Sequence, residues 1–487
     1  MTFVSTFARQ NQVLRMKRKR RVIYYLVDGA HIDVIAELIG KGELPHLKEI
    51  INEGTFRKAT TCFPSTTGPA YLPFLTGHFP GSMDITGIRW FDKKEFKRKR
   101  WFNTDSMRSY CGPEAGLFNT DMHADKPTLL EALGRSYNLY NMITRGVPDA
   151  FDIGKKGKGL AYMRAHFFMR NHPVDIEGHA RIMETLKKDP DFDFIFAVFP
   201  SVDWDSHYYD IRDHRTVEAY KIADRSIGEV KAYLEKEGVW EDTLFLMTSD
   251  HGLTATQKHF DLSDWLTAQD MKAVSYPVIW RVNPKSAVSI SGNSFGSIHL
   301  LNHEGDHALS AQEIDTYLGR DRMRSLLNKE AVDFVAYRGN ESNSFYVENR
   351  QGKAQIRKEG THYLYRPESA DPFALGDINA GNHREALEAT FESNYPDALL
   401  QVEQLFRSHR AGDMVVSANK GHDLRDFWEI PEHIGSHGSL QREHMMVPLI
   451  YNQKNWASHP ARTADLFSTI LKWMGKGPYP SEGDALI

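Results

Sequence analysis

Three apolar runs constrain the fold of this chain more than any other feature. They span Val22–Val27, Phe192–Phe199 and Leu244–Thr248. Runs that are continuous rather than alternating are typical of strands covered on both faces of a parallel sheet. Between them the pattern indicates helices, such as Ile32–Gly40 and the charged amphipathic segment Thr216–Glu237. Strands that alternate with helices predict an α/β fold with a mostly parallel central sheet flanked by helices.

The strand and helix pattern also suggests how the 487 residues are divided. Residues 21–284 and 413–487 carry the α/β pattern, and we assign both to one core. Residues 285–412 have a different texture and predict an inserted α+β region. Residues 1–20 are predicted to form a basic tail.

Within the inserted region, period-two alternation indicates strands in Ala287–Leu301 and Ser344–Leu364. Ala311–Leu327 has a helical pattern. The polar segments Lys353–Lys358 and Arg366–Asp371 favour loops.

Composition excludes several classes of protein. A net charge of −4 does not favour binding to a nucleic acid polymer or an anionic membrane. Two cysteines, Cys62 and Cys111, supply neither a disulfide framework nor a thiolate zinc site. The basic segment Met16–Arg21 precedes an apolar run of only six residues, Val22–Val27, whereas a signal peptide needs about 7–15. No run approaches the ~20 apolar residues of a membrane span, so we expect a cytoplasmic protein.

Candidate metal ligands follow each of the three predicted strands. They are Asp28, the pair Asp203 and His207, and the adjacent Asp250 and His251. The carboxyl ends of parallel strands form the edge where α/β proteins bind ligands. Caps and acidic loops are the structural alternative for Asp28 and for the D-x-x-x-H pair. For Asp250 and His251 we favour function, because two unpaired polar groups after a buried strand are costly.

The stretch Phe63–Gly77 is rich in hydroxyls and turn residues and precedes a short apolar helix, Tyr71–Leu75. A hydroxyl at such a loop-to-helix junction suits a nucleophile that attacks a phosphoryl or sulfuryl centre. Its structural alternative is an N-cap. Thr67 is the candidate hydroxyl, and glycines on both sides of His437 allow the backbone to approach a ligand closely.

Together these residues form a donor set of carboxylates, imidazoles and one hydroxyl. Such a set without thiolates suits Zn²⁺, with Mn²⁺ or Fe as alternatives. Six protein ligands are too many for one tetrahedral ion but fit two divalent ions that share the Thr67 hydroxyl.

The order of these motifs resembles the alkaline phosphatase superfamily, and within it the nucleotide pyrophosphatase/phosphodiesterase branch. The motifs are Val27-Asp28-Gly29, Phe63-Pro64-Ser65-Thr66-Thr67 with Thr76-Gly77, Asp203-x3-His207, Ser249-Asp250-His251-Gly252 and Gly435-Ser436-His437-Gly438. The resemblance implies an alkaline-phosphatase-like core and covers most of the chain.

The resemblance also implies a role for each residue. One zinc would be held by Asp203, His207 and His437. The other would be held by Asp28, Asp250, His251 and Thr67. Thr67 would be the nucleophile and would attack as a metal-bound alkoxide, forming a covalent phosphothreonine. Water activated on the vacated metal would then hydrolyse this intermediate.

Two positions depart from the pattern of that branch. The branch has Lys before the nucleophile and Asn three residues after it, where this chain has Thr66 and Ala70. The missing Asn removes one hydrogen bond to a phosphoryl oxygen. The candidate replacements are the backbone N–H of Thr67 or Gly68, the Tyr71 hydroxyl and His31. Sulfatases belong to the same superfamily, and Cys62-Phe63-Pro64-Ser65 faintly resembles the C-x-P-S start of their motif. However, Cys62 lies fourteen residues before Thr76, whereas the nucleophile should lie nine residues before it, where Thr67 lies.

The predicted function is hydrolysis of a small phosphoric ester, at a phosphodiester or nucleotide pyrophosphate bond. The alternatives are a phosphomonoesterase or phosphonate hydrolase, a phosphotransferase or mutase, and a binding protein that has kept the metals. An apolar slot would favour a diester, and its candidate residues are Trp90, Phe91, Trp101, Phe102 and Trp204. The basic run Lys93–Arg100 would favour a dianionic monoester if it faced the site, but such runs are usually solvated.

Overall fold

A computed structural model describes residues 19–98, 104–155, 171–277, 282–425 and 432–487. Most of the predicted basic tail lies outside these ranges and stays a prediction. None of the helices in the described ranges is both long and apolar enough to cross a bilayer.

The strands of the described residues form four sheets. In chain order they are β1 (Arg21–Val27), β2 (Thr55–Thr60), β3 (Arg89–Phe91), β4 (Met107–Ser109), β5 (Ser136–Leu139), β6 (Phe194–Phe199), β7 (Thr243–Thr248), β8 (Thr254–His259), β9 (Ala273–Ser275), β10 (Ser286–Ser291), β11 (Phe295–Leu300), β12 (Val332–Arg338), β13 (Ser344–Glu348), β14 (Lys353–Glu359), β15 (His362–Pro367), β16 (Ile378–Ala380), β17 (Met414–Ala418), β18 (Gly421–Asp423), β19 (Gly435–Ser436), β20 (Met446–Tyr451) and β21 (Ala461–Arg462).

The α-helices are short except for two that flank the central strands. In chain order they are α1 (Ile32–Gly40), α2 (Pro45–Glu53), α3 (Tyr71–Thr76), α4 (Lys93–Arg98), α5 (Phe118–Asp121), α6 (Leu129–Ala132), α7 (His172–Lys188), α8 (Ser201–Tyr208), α9 (His214–Lys236), α10 (Leu262–Ala268), α11 (Ala311–Tyr317), α12 (Arg320–Leu327), α13 (His383–Thr390), α14 (Ala398–Leu405), α15 (Arg442–Met445) and α16 (Asp465–Trp473). Four 3₁₀ turns span Pro80–Met83, Thr104–Ser106, Pro113–Leu117 and Trp240–Asp242.

A central seven-stranded sheet has the order β21-β2-β20-β7-β1-β6-β5. Strand β1 pairs in parallel with β6 and β7, whereas β20 runs antiparallel to both of its neighbours. Every residue of β1, β6 and β7 is buried, as their continuous apolar runs predict. The predicted α/β fold with a mostly parallel sheet is confirmed.

A second, nine-stranded sheet has the order β16-β15-β14-β13-β12-β17-β11-β10-β9 and is mostly antiparallel. Most of its strands come from residues 285–412, and β9 and β17 join it from outside that range. The division of the chain at 285 and 412 stays a prediction.

Two local predictions are wrong. Lys353–Lys358 is not a loop but lies in β14, and Arg366–Asp371 begins inside β15. Ala354 and Ile356 are buried, while Gln355 between them and Lys353 and Arg357 on either side stay partly exposed, so the alternation exists but polar residues dominate it. Strand β5 of the central sheet ends at Leu139, where Tyr140 turns the chain with a φ of 61°.

Candidate metal centre and nucleophile

The predicted ligands meet at the carboxyl end of the central sheet. Asp28 directly follows β1, α8 begins one residue after β6, and Asp250 follows β7 within two residues. Because β1 lies parallel between β6 and β7, these three strand ends share one edge. The predicted ligand side chains there are all buried, at 0 to 8% exposure: Asp28, Asp203, His207, Asp250, His251 and His437.

Gly29 allows the segments after β1 and β6 to approach each other. Its φ is 67°, and a Cβ at this position would lie 2.8 Å from the Cβ of Asp203. On α8, Asp203 and His207 are one turn apart, with Oδ1 and Nε2 separated by 3.4 Å. The D-x-x-x-H spacing thus brings a carboxylate and an imidazole together on one side of a helix.

The hydroxyl of Thr67 faces this cluster. Its Oγ1 lies 3.1 Å from Nε2 of His251 and 3.4 Å from Oδ1 of Asp28. Tyr71, the first residue of α3, donates its phenolic hydrogen to the other Asp28 oxygen at 2.9 Å. The stretch Phe63–Gly77 therefore presents a hydroxyl to the buried carboxylates, as its sequence suggests.

The three histidines are oriented in the same way. Each Nδ1–H donates to a backbone carbonyl oxygen: His207 to Gly435 at 2.8 Å, His251 to Gly252 at 3.1 Å, and His437 to Ser65 at 3.0 Å. This pairing leaves every Nε2 with its lone pair available for a ligand. A hydrogen bond from the ring nitrogen that faces away from the ion is typical of metal-binding histidines.

Two groups of side chains are close enough to hold metal ions. Asp203, His207 and His437 form one, and Asp28, Asp203 and His251 form the other, with all donor atoms of a group within 4.8 Å. Within the described residues, Oδ1 of Asp203 and Oδ2 of Asp250 are buried and have no hydrogen-bond partner. Buried carboxylate oxygens without partners are costly, so the donor set fits bound cations.

The electrostatics agree with a site built for cations. Burial, together with the charges of Asp250 and Asp203, raises the pKa of Asp28 well above its usual range. Burial also raises the pKa of Asp250. For His437, burial and the neighbouring His251 ring, 3.7 Å away and parallel, lower the pKa well below its usual range. The carboxylates repel one another and this imidazole stays neutral, and divalent cations would relieve the repulsion.

Burial opposes ionisation of Asp203, but its histidine neighbours His207, His251 and His437 outweigh that effect. The pKa of this carboxyl is therefore held below its usual range. Asp203 is thus the carboxylate of the cluster that stays ionised most readily, and it belongs to both candidate metal groups.

A model of the type I phosphodiesterase/nucleotide pyrophosphatase family matches residues 22–440. The chain belongs to this family. The match begins with β1 and ends just after His437, so it includes every predicted ligand. The resemblance to the nucleotide pyrophosphatase/phosphodiesterase branch is therefore confirmed.

Solved structures of this fold cover almost the whole chain. Phosphonoacetate hydrolase from Sinorhizobium meliloti, in complex with phosphonoacetate, is 16% identical with a TM-score of 0.55 and covers 94% of this chain and 96% of its own. Murine ectonucleotide pyrophosphatase/phosphodiesterase 5, an inactive form in complex with AMP, is 12% identical with a TM-score of 0.55 and covers 96% and 98%. The human protein of that name is 13% identical, with a TM-score of 0.54 and coverage of 96% and 97%. The predicted alkaline-phosphatase-like fold of this family member is thereby confirmed.

The predicted substrate contacts have different surroundings. Tyr71 is part of the cluster. Gly68 has a φ of 89°, and a Cβ at this position would lie 2.8 Å from the sulfur of Met142 and 3.2 Å from the ring of Phe118. Trp90 is only 1% exposed and donates its indole hydrogen to Tyr110 at 2.9 Å. This burial makes Trp90 a core residue rather than a wall of an open slot.

The remaining residues predicted for an apolar slot are less informative. Phe91 is buried among core residues, and Trp204 is half-buried on α8. Trp101 and Phe102 lie outside the described residues, as does the end of the basic run Lys93–Arg100. Lys93 itself is not solvated, because it is 2% exposed and paired with Asp413.

The surroundings of His31, Cys62 and Ala70 bear on the departures from the branch pattern. The His31 side chain caps α1 by accepting a hydrogen bond from Asp33, and among the described residues it forms no hydrogen bond with Thr67. Cys62 is fully buried in the core beneath the second sheet, so it is not a nucleophile on the sulfatase pattern. Ala70, where the branch has Asn, lies in the same apolar core.

Sequence reasoning missed the residues that orient the ligands. Ser249 donates to the carbonyl oxygen of His251 and accepts from the amide of Ala30, both at 2.8 Å. Backbone carbonyls that orient the histidines carry no side-chain signal. Only the position of Ser249, directly before Asp250, marked it in the sequence.

Proposed function

We propose that this family member hydrolyses a small phosphoric ester, at a phosphodiester or nucleotide pyrophosphate bond, with Thr67 as nucleophile. The observation that carries the proposal is the Thr67 hydroxyl, 3.1 Å from His251 and 3.4 Å from Asp28 beside carboxylate oxygens without partners in the described structure. A structural polar cluster would not need a hydroxyl at its edge.

Two divalent cations, with zinc the first choice, would be held by the residues of this cluster. Asp203, His207 and His437 would hold one, and Asp28, Asp250, His251 and Thr67 the other. Bound there, such ions lower the pKa of a hydroxyl or water and neutralise charge on a phosphoryl group. Asp203 and Asp250 supply the oxygens that lack partners among the described residues, which is the fit that supports this assignment.

The chain's own residues position the nucleophile. Tyr71 holds one oxygen of Asp28, so that the other remains directed at the Thr67 hydroxyl. Attack by the Thr67 oxygen forms a phosphorus–oxygen bond while the bond from phosphorus to the leaving alcohol or phosphate oxygen breaks. The Thr67 hydroxyl proton ends on the leaving group, and the rest of the substrate stays on Thr67 as a phosphothreonine ester. Water then cleaves the phosphothreonine and restores the hydroxyl.

A phosphonate hydrolase or phosphomonoesterase is the second candidate. Two observations favour it: the solved phosphonoacetate hydrolase shares the fold over 94% of this chain, and Ala70 replaces the Asn of the phosphodiesterase branch. A phosphotransferase would use the same phosphothreonine and pass its phosphoryl group to an added alcohol instead of water.

The test compares hydrolysis of bis-p-nitrophenyl phosphate, p-nitrophenyl phosphate and phosphonoacetate by protein loaded with Zn²⁺ or Mn²⁺. We expect the diester to be hydrolysed in preference to the other two substrates. Thr67→Ala should lower the rate of this hydrolysis by on the order of a thousandfold or more. Thr66→Val is the matched control, because the Thr66 hydroxyl is buried without a hydrogen-bond partner in the described structure and its loss costs little.

Each outcome has a clear meaning. Thr67-dependent cleavage of the monoester or of phosphonoacetate in preference to the diester would replace the proposed substrate by the second candidate. Product formed on an added alcohol would identify a transferase. No turnover that depends on Thr67 would contradict the nucleophile assignment altogether.

A further inference from the structure

Two side chains of helix α14 form hydrogen bonds with the backbone of the segment that leads to Thr67. The backbone N–H of Phe63 donates to Oε1 of Gln401 at 2.9 Å, and Nε2 of Gln404 donates to the Phe63 carbonyl at 2.7 Å. Both glutamine side chains are 0% exposed. One residue of the loop thus has both of its backbone polar groups bound by side chains more than 300 positions away in the sequence.

The two glutamines are themselves held in one orientation. Nε2 of Gln401 donates to Asp397 at 2.8 Å, and Asp397 accepts two further bonds, of 2.6 and 2.7 Å, from Arg462. Because the Gln401 amide nitrogen faces a carboxylate, its oxygen must face Phe63. Oε1 of Gln404 accepts from the amide of Gly81 at 3.0 Å, which fixes the second side chain in the same way.

The loop that α14 holds through Phe63 also contacts the candidate metal centre. Thr67 lies four positions after Phe63, and between them Ser65 forms an isolated bridge with Gly438. The Ser65 carbonyl also accepts the hydrogen bond that orients His437. The loop is therefore bound by α14 at one end and by the ligand-bearing segment at the other, with Thr67 two positions further on.

We propose that Gln401 and Gln404 are positioning residues that set the place of the Thr67 hydroxyl relative to the buried carboxylates. This proposal rests on the proposed function. It gives the second sheet a part in the reaction, since α14 packs its apolar side into the core beneath that sheet. The physical reason is that a nucleophile displaced by about 1 Å loses on the order of a hundredfold in rate.

The experiment uses the full-length, metal-loaded protein and four variants. Gln404→Leu removes its hydrogen bonds with Phe63, Gly81 and Gln401. Gln404→Glu keeps an acceptor for Gly81 but cannot donate to Phe63. Gln401→Leu removes the acceptor for the backbone N–H of Phe63. Tyr395→Phe is the matched control, because it breaks a partly buried 2.9 Å hydrogen bond to Asp333 beside the same core, and Tyr395 forms no hydrogen bond with the loop in the described structure.

We expect kcat per folded molecule to fall about ten- to a hundredfold in all three glutamine variants, with KM changed less than about twofold. Tyr395→Phe should lower the melting temperature but leave kcat per folded molecule within about twofold of wild type. Near-normal kcat in Gln404→Glu would overturn the proposal by showing that only the Gly81 contact matters. Equal loss in Tyr395→Phe would overturn it by showing general loosening.

A second measurement does not depend on activity. Amide hydrogen exchange in a peptide covering residues 60–70 should accelerate at least about tenfold in Gln404→Leu and not in Tyr395→Phe. If wild type turns over no phosphoric ester, the proposed function is contradicted, while the exchange rates still show whether the two glutamines hold the loop. If wild type is active and exchange is unchanged in both Gln404→Leu and Gln401→Leu, the positioning role of the glutamines is contradicted and the proposed function stands.

Discussion

At the carboxyl end of the central sheet, Asp28, Asp203 and Asp250 are buried side by side, whereas Asp413, directly before β17 of the second sheet, is buried beside Lys93. Both oxygens of Asp413 lie 2.7 Å from the Lys93 ammonium, and backbone amides donate to each of them as well. At the sheet edge, by contrast, one oxygen of Asp203 and one of Asp250 have no hydrogen-bond partner in the described structure.

We interpret the difference as one between a carboxylate that stabilises the fold and carboxylates that are proposed to bind cations. Asp413 has its counter-charge within the chain. Across the described ranges, the ion pairs of the three sheet-edge carboxylates involve histidines and neither lysine nor arginine. Burying several carboxylates without a permanent cation is unfavourable unless cations are supplied from outside. Two buried acidic sites in one molecule thus differ in where their positive charge comes from.

The largest effect that would sharpen this contrast is expected for Asp250→Asn. The substituted side chain keeps an oxygen that accepts the hydrogen bond from the backbone N–H of Gly29, but it loses the negative charge that would bind a cation. Turnover should therefore fall by on the order of a thousandfold. Metal-free protein should be at least as stable as wild type, because one repelling charge is removed. The measurements are turnover and the melting temperature with and without Zn²⁺. A metal-free variant that melts well below wild type would contradict the assignment of Asp250 as a ligand.

The opposite result is expected for Lys93→Met. Asp413 would remain fully buried without its cation, at a cost of about 3–5 kcal/mol in the free energy of unfolding. Urea denaturation of the variant measures this loss. Lys93→Met combined with Asp413→Leu should recover much of it, because a charge pair is then replaced by apolar groups. A single variant as stable as wild type would erase the distinction between the two sites.

The sequence predicts the site better than it predicts the second sheet. Asp28, Thr67 and the other predicted ligands follow buried strands or lie in short motifs, so local pattern and strand order are enough to bring them together. The pattern does not predict β14, because Lys353–Lys358 is mostly charged and only its pairing with β13 and β15 makes it a strand. Such a strand is decided by the neighbours that it packs against rather than by its own residues.

The supporting contacts could not be predicted for a related reason. Gln401 and Gln404 look like ordinary residues of an amphipathic helix, and they acquire a role only because the loop at Phe63 folds against them. The carbonyl oxygens that orient His207, His251 and His437 belong to the backbone, which every residue shares. A sequence shows which side chains are available, whereas it does not show which distant backbone groups they will meet.

The smallest expected effect concerns His409, whose positive charge can be removed by pH. Its ring lies 3.1 Å from a carboxylate oxygen of Asp92 and 3.6 Å from one of Asp84. Hydrogen bonds to Asp84 and Asp92 raise the pKa of His409 to about 9. A raised folded-state pKa means that the stabilisation is complete below about pH 6.5 and is lost as the pH rises through about 9.

His409→Gln should therefore be less stable than wild type at about pH 6, and the gap should close by about pH 10. His409 is half exposed, so solvent screening limits the difference to less than about 1 kcal/mol. The measurement is the urea midpoint of both proteins at several pH values. Parallel curves would show that His409 does not act as a counter-charge. A closing gap would show a third arrangement, in which Asp92 has a permanent cation in Arg410 and a second, pH-dependent one in His409.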